Sequence, residues 1–139
     1  EECRKMIVNL GLEANVSLIG SKTQEEIQSI LNNSDLFIYP GIKDSYGRCE
    51  NQGLVIQEAM AMGLPVIVSR VGGMQEGVID GKTGYLIEEN NLAAFVNKVK
   101  FLIENREIGI QMGEDARIYV QTYYDSQNVT KKVIELYEN

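Results

Sequence analysis

The stretch SYGRCENQGLVIQEAMAMG, residues 45–63, decides how the rest of the chain is interpreted. It begins with polar residues and glycine, then changes at Gly53 into a run of small and apolar side chains. Leu, Ala, Met and Glu favour helix, and Gly63 followed closely by Pro65 is a common way to end one. The stretch therefore predicts a loop to about residue 52 and a helix over roughly residues 53–62.

Two polar residues, Gln57 and Glu58, interrupt this predicted helix, which is otherwise apolar on almost every side. Such a helix is expected to be buried. A carboxylate placed beside Leu54, Val55 and Ala61 is costly to bury unless donors satisfy it. Gln57 could face outward, but Glu58 needs a partner, which either the protein or a ligand must supply.

The start of the predicted helix suits an anion. Gln52, Gly53 and Leu54 offer backbone N–H groups there, which lack partners within the helix, and the helix dipole favours negative charge at this end. Glu50 precedes these donors and Glu58 follows them. The order of acid, anion site and second acid matches the hydroxyls, phosphates and hydroxyls of a sugar joined to a nucleoside diphosphate.

Glu50 and Glu58, separated by seven residues, begin a longer pattern. Its further elements are Ala-Met-Ala-Met-Gly-Leu-Pro-Val-Ile, Ser69, Gly72-Gly73, Glu76 and Asp80–Gly84. This order resembles the retaining glycosyltransferases of the group-one family, most densely over residues 50–87 and more faintly over 8–40 and 92–137. The resemblance implies the GT-B fold, in which two Rossmann-like domains face a cleft, and it places this chain in the C-terminal, donor-binding half.

The resemblance also implies roles for the residues of the central stretch. Glu50 is expected to be the catalytic-site residue that contacts the hydroxyls of the donor sugar, and Glu58 to hold the ribose hydroxyls. Gly53 is expected to let the backbone approach the diphosphate, together with the N–H groups of Leu54 and Val55. The alternatives are a solvated loop glutamate, a helix carboxylate satisfied by nearby donors, and a loop–helix junction without a ligand.

Two more pairs of residues are expected at the donor side. By the same resemblance, Gly72 and Gly73 line the cleft, and Gly20 and Ser21 border the base of the nucleotide. A tight turn capped by a short helix would explain the first pair nearly as well. Asn51 and Gln52 stand where the family commonly has a glycine and an aromatic residue, so the identity of the donor sugar is left open.

Composition narrows the classes of function. The net charge of −7 argues against nucleic-acid binding, which needs a basic face. The chain has no histidine, and Cys3 and Cys49 lack metal-type spacing, which excludes zinc sites and Ser-His or Cys-His catalysis. No apolar run approaches the length of a membrane span. There is also no Asp-x-Asp pair, so we expect no metal. We expect no cofactor either. The expected substrate is a nucleoside diphosphate sugar, such as a UDP- or GDP-sugar.

Apolar strands alternating with helices predict an α/β fold with a Rossmann-like parallel sheet and helices on both faces. Strands are expected at 16–19, 36–39, 66–68 and 85–87, and helices at 1–10, 23–33, 53–62, 73–78, 92–103, 106–123 and 126–137. Thr23 and Glu26 form a capping-box pattern, while Asn91 and Ser126 are candidate caps. Ligands of such sheets gather at the carboxyl ends of the strands, which carry most of the motif residues.

Residues 1–139 are thus interpreted as the nucleotide-sugar-binding domain of a metal-independent retaining glycosyltransferase. By comparison with the family, the first strand or strands, which carry an Arg and a Lys, and the separate acceptor domain are expected to be missing. The intact enzyme would transfer the sugar to an unknown hydroxyl acceptor in the cytoplasm, with the inner face of the membrane as a further option. A non-catalytic nucleotide-sugar-binding module and half of a nucleotide-sugar epimerase are the alternatives.

Overall fold

The computed structural model describes residues 1–49 and 53–138. In that part of the chain, the central sheet has three parallel strands. They lie side by side in the order β1 (Phe37–Tyr39), β2 (Val66–Ser69) and β3 (Gly84–Ile87). All four residues of the middle strand, β2, are buried. A continuous apolar run is typical of a strand covered on both faces, and the structure confirms that interpretation.

Helices separate the three strands from one another, as the sequence predicts. In chain order they are α1 (Glu2–Asn9), α2 (Gln24–Asn32), α3 (Leu54–Ala61), a 3₁₀ helix (Gly72–Gly77), α4 (Leu92–Glu104), α5 (Arg106–Tyr123) and α6 (Ser126–Glu138). The α3 helix connects β1 to β2, and the 3₁₀ helix lies between β2 and β3. The predicted α/β fold class is therefore confirmed.

Alternate side chains of β2 pack into two separate hydrophobic clusters. Val66 and Val68 pack in the cluster that contains Ile56 and Met60 of α3, whereas Ile67 packs in the cluster with Phe95 of α4. This is the two-residue period of a strand, which sends successive side chains to opposite faces of the sheet. Because the two clusters are separated by the sheet, helices cover both of its faces.

Side-chain caps fix where several helices begin. The Thr23 and Glu26 capping box is present at the start of α2, and Asn91 Oδ1 accepts the Ala94 N–H at the start of α4. The cap predicted at Ser126 is wrong. Asp125 takes that role, because its Oδ1 accepts the N–H groups of Gln127 and Asn128, at 3.0 and 3.3 Å.

The strand predicted at residues 16–19 is also wrong. The segment is exposed, with Leu18 at 52% and Ile19 at 54% relative exposure, and it pairs with none of β1, β2 or β3. Its apolar residues carry a strand-like pattern, but a strand is stabilised by hydrogen bonds to a neighbour and by burial of one face. Neither is available to this segment within the described residues.

Candidate functional site

The carboxyl ends of the strands border a cleft of about 700 Å³. Its lining comprises Tyr39, Pro40, Gly41, Ile42, Arg48, Cys49 and Met74. The first residues continue directly from the end of β1, and Met74 belongs to the 3₁₀ helix that follows β2. The cleft therefore lies at the edge of the sheet where the sequence predicts a ligand site.

Gly53 joins this cleft to the start of α3. Its φ is +53°, a left-handed conformation that costs a residue with a side chain about 1–2 kcal/mol. A Cβ at this position would lie 2.9 Å from Ile56 Cδ1 and 3.3 Å from Met74 Cγ. Both the backbone conformation and the lack of space thus require glycine at the entry to the helix.

The first turn of α3 has free capacity for an acceptor. Gly53 has no side chain with which to cap the helix, and no side-chain cap is present at this end among the described residues. The Ile56 N–H donates to the Gly53 carbonyl at 2.8 Å, whereas the N–H groups of Leu54 and Val55 precede the first intrahelical bond. These are two of the donors that the sequence assigns to a diphosphate.

The expectation that α3 is buried on nearly every side is wrong. Leu54 is 61% exposed, and Gln57 and Glu58 are half-buried, whereas Ile56 and Met60 are buried. The helix places one face in the core and leaves its beginning and one flank accessible. This arrangement lowers the cost of a carboxylate on the helix and keeps the first turn open to a ligand.

Glu58 has a protein partner, Gln24 at the beginning of α2. The Gln24 Nε2 donates to Glu58 Oε1 at 3.2 Å, across 34 residues of sequence. Gly20 and Ser21, both exposed, come shortly before the Thr23 cap of the same helix. The structure therefore brings the start of α2 beside α3. A carboxylate accepts several hydrogen bonds, so one bond from Gln24 leaves Glu58 with acceptor capacity.

Gly72 and Gly73 begin the 3₁₀ helix, and Gly72 has a φ of +55°. The helix directs Met74 toward the cleft, while Glu76 is exposed. Burial raises the pKa of Tyr124, with smaller contributions from Tyr119 and Glu76. Met74, which follows the two glycines directly, lines the cleft, whereas Gly72 and Gly73 are not among its lining residues, so their role at the donor side stays a prediction.

The predicted catalytic residue Glu50 lies outside the described residues, as do Asn51 and Gln52. The loop that leads to them is built around Asp44. Its Oδ1 accepts the N–H groups of Tyr46 and Arg48, and its Oδ2 accepts Arg48 Nε at 2.7 Å. These bonds, led by the Arg48 backbone, lower the pKa of Asp44.

The sequence interpretation missed Asp44 as the organising residue of this loop. A usable signal was present, because Asp at the first position and Gly at the fourth, here Asp44 and Gly47, is typical of a type I turn. Gln24 and Met74 were also missed, and for them no local signal exists. Arg48 is paired with Asp44 and lies 5.1 Å from the centre of the Tyr46 ring.

No group of three or more Cys, Asp or Glu side chains in residues 1–49 and 53–138 is arranged to hold a metal ion. Cys3 and Cys49 are both free thiols. No helix in the same part of the chain is long and apolar enough to cross a membrane.

A known protein family matches most of this chain. The model of the family described as "Glycosyl transferases group 1" matches residues 1–119. D-inositol 3-phosphate glycosyltransferase of Corynebacterium efficiens is 31% identical over 116 residues, which cover 84% of this chain and 26% of that protein. N-acetyl-alpha-D-glucosaminyl L-malate synthase of Bacillus anthracis is 32% identical over 133 residues, which cover 96% of this chain and 33% of that protein. The chain therefore spans about a quarter to a third of the length of these relatives.

Solved structures resemble the chain over almost its full length. HepE from Anabaena, in a complex with UDP, superposes with a TM-score of 0.87 at 25% identity and covers 99% of this chain and 36% of that one. The same protein in complex with UDP-glucose gives a TM-score of 0.84. Sucrose-phosphate synthase from Thermosynechococcus elongatus gives 0.85 at 25% identity, covering 99% of this chain and 33% of that one.

Proposed function

The chain belongs to the group 1 glycosyltransferases, and from this membership we propose that it binds the nucleoside diphosphate sugar donor of a retaining enzyme. The enzyme moves the sugar from that donor to a hydroxyl acceptor. The complexes of HepE with UDP and with UDP-glucose support a donor of this chemical class. The acceptor site belongs, in this proposal, to a part of the enzyme outside these 139 residues.

The observation that carries the proposal is the placement of Glu58 relative to the start of α3. Glu58 follows Gly53 by five residues, or roughly 7.5 Å at about 1.5 Å per helical residue. A diphosphate held at the first turn therefore has a carboxylate within reach of the ribose attached to it. The cleft beside Met74 lies at the same end of α3 and offers space for the sugar.

Each end of the donor then has its own group of residues. The Leu54 and Val55 N–H groups bind the diphosphate, with Gly53 allowing close approach of the backbone. Glu58 accepts hydrogen bonds from the ribose hydroxyls, and Gly20 and Ser21 border the base. The residues assigned to the sugar side of the diphosphate are Glu50, Gly72 and Gly73.

The chemistry assigned to the chain is electrostatic. Negative charge grows on the diphosphate as the bond to the sugar breaks, and backbone N–H groups fixed at a helix N-terminus stabilise that charge without reorganising. Glu50 and Glu58 orient the sugar and the ribose, which supplies the positioning that transfer requires. No metal is needed in this scheme, because the first turn of α3 provides the donors.

A location follows from the same proposal. The donor-binding site works in the cytoplasm, at the inner face of the membrane when the acceptor is a lipid or a growing glycan. Relatives named as glycosyltransferases of amylovoran and of capsular polysaccharide biosynthesis support a glycan acceptor.

A binding screen tests the proposal. Isothermal titration of the 139-residue chain against UDP, GDP, ADP and a sugar conjugate of each should identify one preferred nucleotide, with a Kd on the order of millimolar, or ~4 kcal/mol of binding free energy. The chain alone should transfer no sugar. Absence of binding to every nucleotide and conjugate at ten millimolar would contradict the proposal, as would sugar transfer by the chain alone.

A further inference from the structure

We infer that Glu89 is a positioning residue for donor binding, because it anchors the loop 41–49 that forms one wall of the cleft. The Lys43 backbone N–H donates to Glu89 Oε1 at 2.8 Å, across 46 residues of sequence. Glu89 lies just after β3, at the carboxyl edge of the sheet. This inference rests on the proposed function, since the wall it anchors belongs to the proposed donor site.

Packing holds the loop 41–49 at its two ends, where Gly41 and Cys49 are half-buried and Cys49 packs against the core. Its residues 42–48 are all exposed, and the bonds centred on Asp44 close the loop on itself. Among residues 1–49 and 53–138, the bond from Lys43 to Glu89 is the one hydrogen bond that ties residues 41–49 to another element. Asp44 therefore sets the shape of the loop, and Glu89 supplies the hydrogen bond that holds its exposed middle beside the sheet.

The backbone is held in place both before and after Glu89. Before Glu89, β3 is paired with the buried strand β2. After it, Asn90 adopts a φ of 62°, and the Asn91 N–H donates to the Glu88 carbonyl at 3.1 Å, which closes a turn around Glu89. Asparagine tolerates this left-handed conformation better than other residues with side chains. The backbone that carries the Glu89 side chain is therefore held in place next to the loop.

The position of the cleft indicates which part of the donor depends on this anchor. Gly41, Ile42, Arg48 and Cys49 form the loop side of the cleft, and Met74 forms the side next to Gly53. Glu58 lies farther along α3, away from that end. With the diphosphate at the start of α3 and the ribose at Glu58, the sugar occupies the cleft. Glu89 therefore acts on the sugar part of the donor through the loop and leaves the nucleotide part to other residues.

Two variants and one matched control test this inference. Glu89→Ala removes the acceptor, and Glu89→Gln keeps an oxygen at nearly the same position. Glu88→Ala removes the same charge from the neighbouring residue, which pairs with Arg70 Nε at 2.8 Å and not with the loop. For each protein, the Kd of the preferred nucleotide and of its sugar conjugate is measured by titration, and the exchange rate of the Lys43 amide is measured by NMR.

In Glu89→Ala, the affinity for the sugar conjugate should fall about 3- to 10-fold, the range expected for loss of one hydrogen bond, while that for the nucleotide changes less than about 2-fold. The Lys43 amide should exchange faster in this variant. Glu89→Gln should restore both properties, and Glu88→Ala should leave both as in the wild type.

Unchanged Lys43 exchange in Glu89→Ala overturns the anchor, and an equal loss of affinity for nucleotide and conjugate overturns the assignment to the sugar. If the wild-type chain binds no donor, the proposed function fails first. If the wild type binds and Glu89→Ala binds equally well, this inference alone fails.

Discussion

Residues 1–20 and residues 53–87 are similarly rich in apolar side chains, yet the structure uses them in different ways. In residues 1–20 no side chain is buried, and Met6 and Leu10 are each 63% exposed. In residues 53–87, Met60 and Ile67 are fully buried. The later segment supplies most of the buried core and also the proposed diphosphate site, whereas the earlier one ends at Gly20, which belongs to the proposed base site. The comparison indicates that apolar content alone does not decide whether a segment enters the core.

The largest expected effect is on the free energy of unfolding, and it differs between the two regions. Met60→Ala should lower the free energy of unfolding by about 2–5 kcal/mol, because it removes fully buried methylene groups and leaves a cavity. Met6→Ala makes the same chemical change on an exposed helix and should alter stability by no more than about 0.5 kcal/mol. Urea unfolding followed by circular dichroism measures both, and equal losses would contradict the division of the chain into these regions.

The next effect concerns two glycines with similar left-handed backbone, Gly53 at φ +53° and Gly20 at φ +64°. Alanine at either position should cost about 1–2 kcal/mol of unfolding free energy through backbone strain. Gly53→Ala should cost roughly a further 1 kcal/mol or more, because its Cβ would contact Ile56 and Met74 in a packed site. A Cβ at Gly20 has no atom within 4 Å. Equal destabilisation of the two variants would show that the space around Gly53 is not restrictive.

Glu58 should matter for binding more than for stability. Glu58→Gln replaces a charged acceptor by a neutral one and should weaken nucleotide binding by about 1–3 kcal/mol. Gln24 can still donate to the new amide oxygen, so the melting temperature should change little. Titration with the preferred nucleotide and thermal melts of both proteins distinguish the two roles. Unchanged affinity with a large drop in melting temperature would identify Glu58 as a structural residue.

The smallest expected effect is a pH dependence at the start of α2, where the exposed segment joins the rest of the fold. The Thr23 N–H, followed by Lys22, lowers the pKa of Glu26 below its ordinary value of 4.5. A lowered folded-state pKa stabilises the fold above the unfolded-state pKa, and this contribution is lost as the pH falls through the folded-state value. Stability should therefore decline more steeply below about pH 4.5 in the wild type than in Glu26→Gln.

Glu25→Gln provides the control for that measurement, since it removes the same charge from the same turn without removing the capping bond to Thr23. Its stability should follow the wild-type pH dependence. Urea midpoints measured between pH 3 and pH 7 compare the three proteins. Identical curves for Glu26→Gln and the wild type would contradict the contribution of the capping box.

Local sequence patterns predict the elements of residues 53–87 better than the segment 16–19, and the reason is physical. From Gly53 to Ile87, local propensity and apolar pattern favour the same elements, so α3, β2, the short helix and β3 were predicted close to their observed bounds. At residues 16–19 the local pattern favours a strand, but no neighbour within the described residues pairs with it. A strand depends on its partner, and a short segment does not encode whether that partner is present.

The candidate site was predictable in its backbone and less so in its side-chain contacts. The helix start at Gly53 and the glycines at 72 and 73 follow from local composition and from the order of the motif. The partner of Glu58 is Gln24 and the partner of Lys43 is Glu89, pairs separated by 34 and 46 residues of sequence. Contacts of this kind are created by tertiary packing and leave no local pattern in the sequence.

Donor binding at the start of α3 can be tested by mapping the amide chemical shifts of the ¹⁵N-labelled chain during titration with the preferred nucleotide sugar. We expect the perturbed amides to cluster at Gly20–Lys22, at 53–58 and at 69–76, with Leu54 and Val55 among the largest changes. We also expect the amides of α4, α5 and α6 to change little. Perturbations confined to those three helices would contradict donor binding at the start of α3.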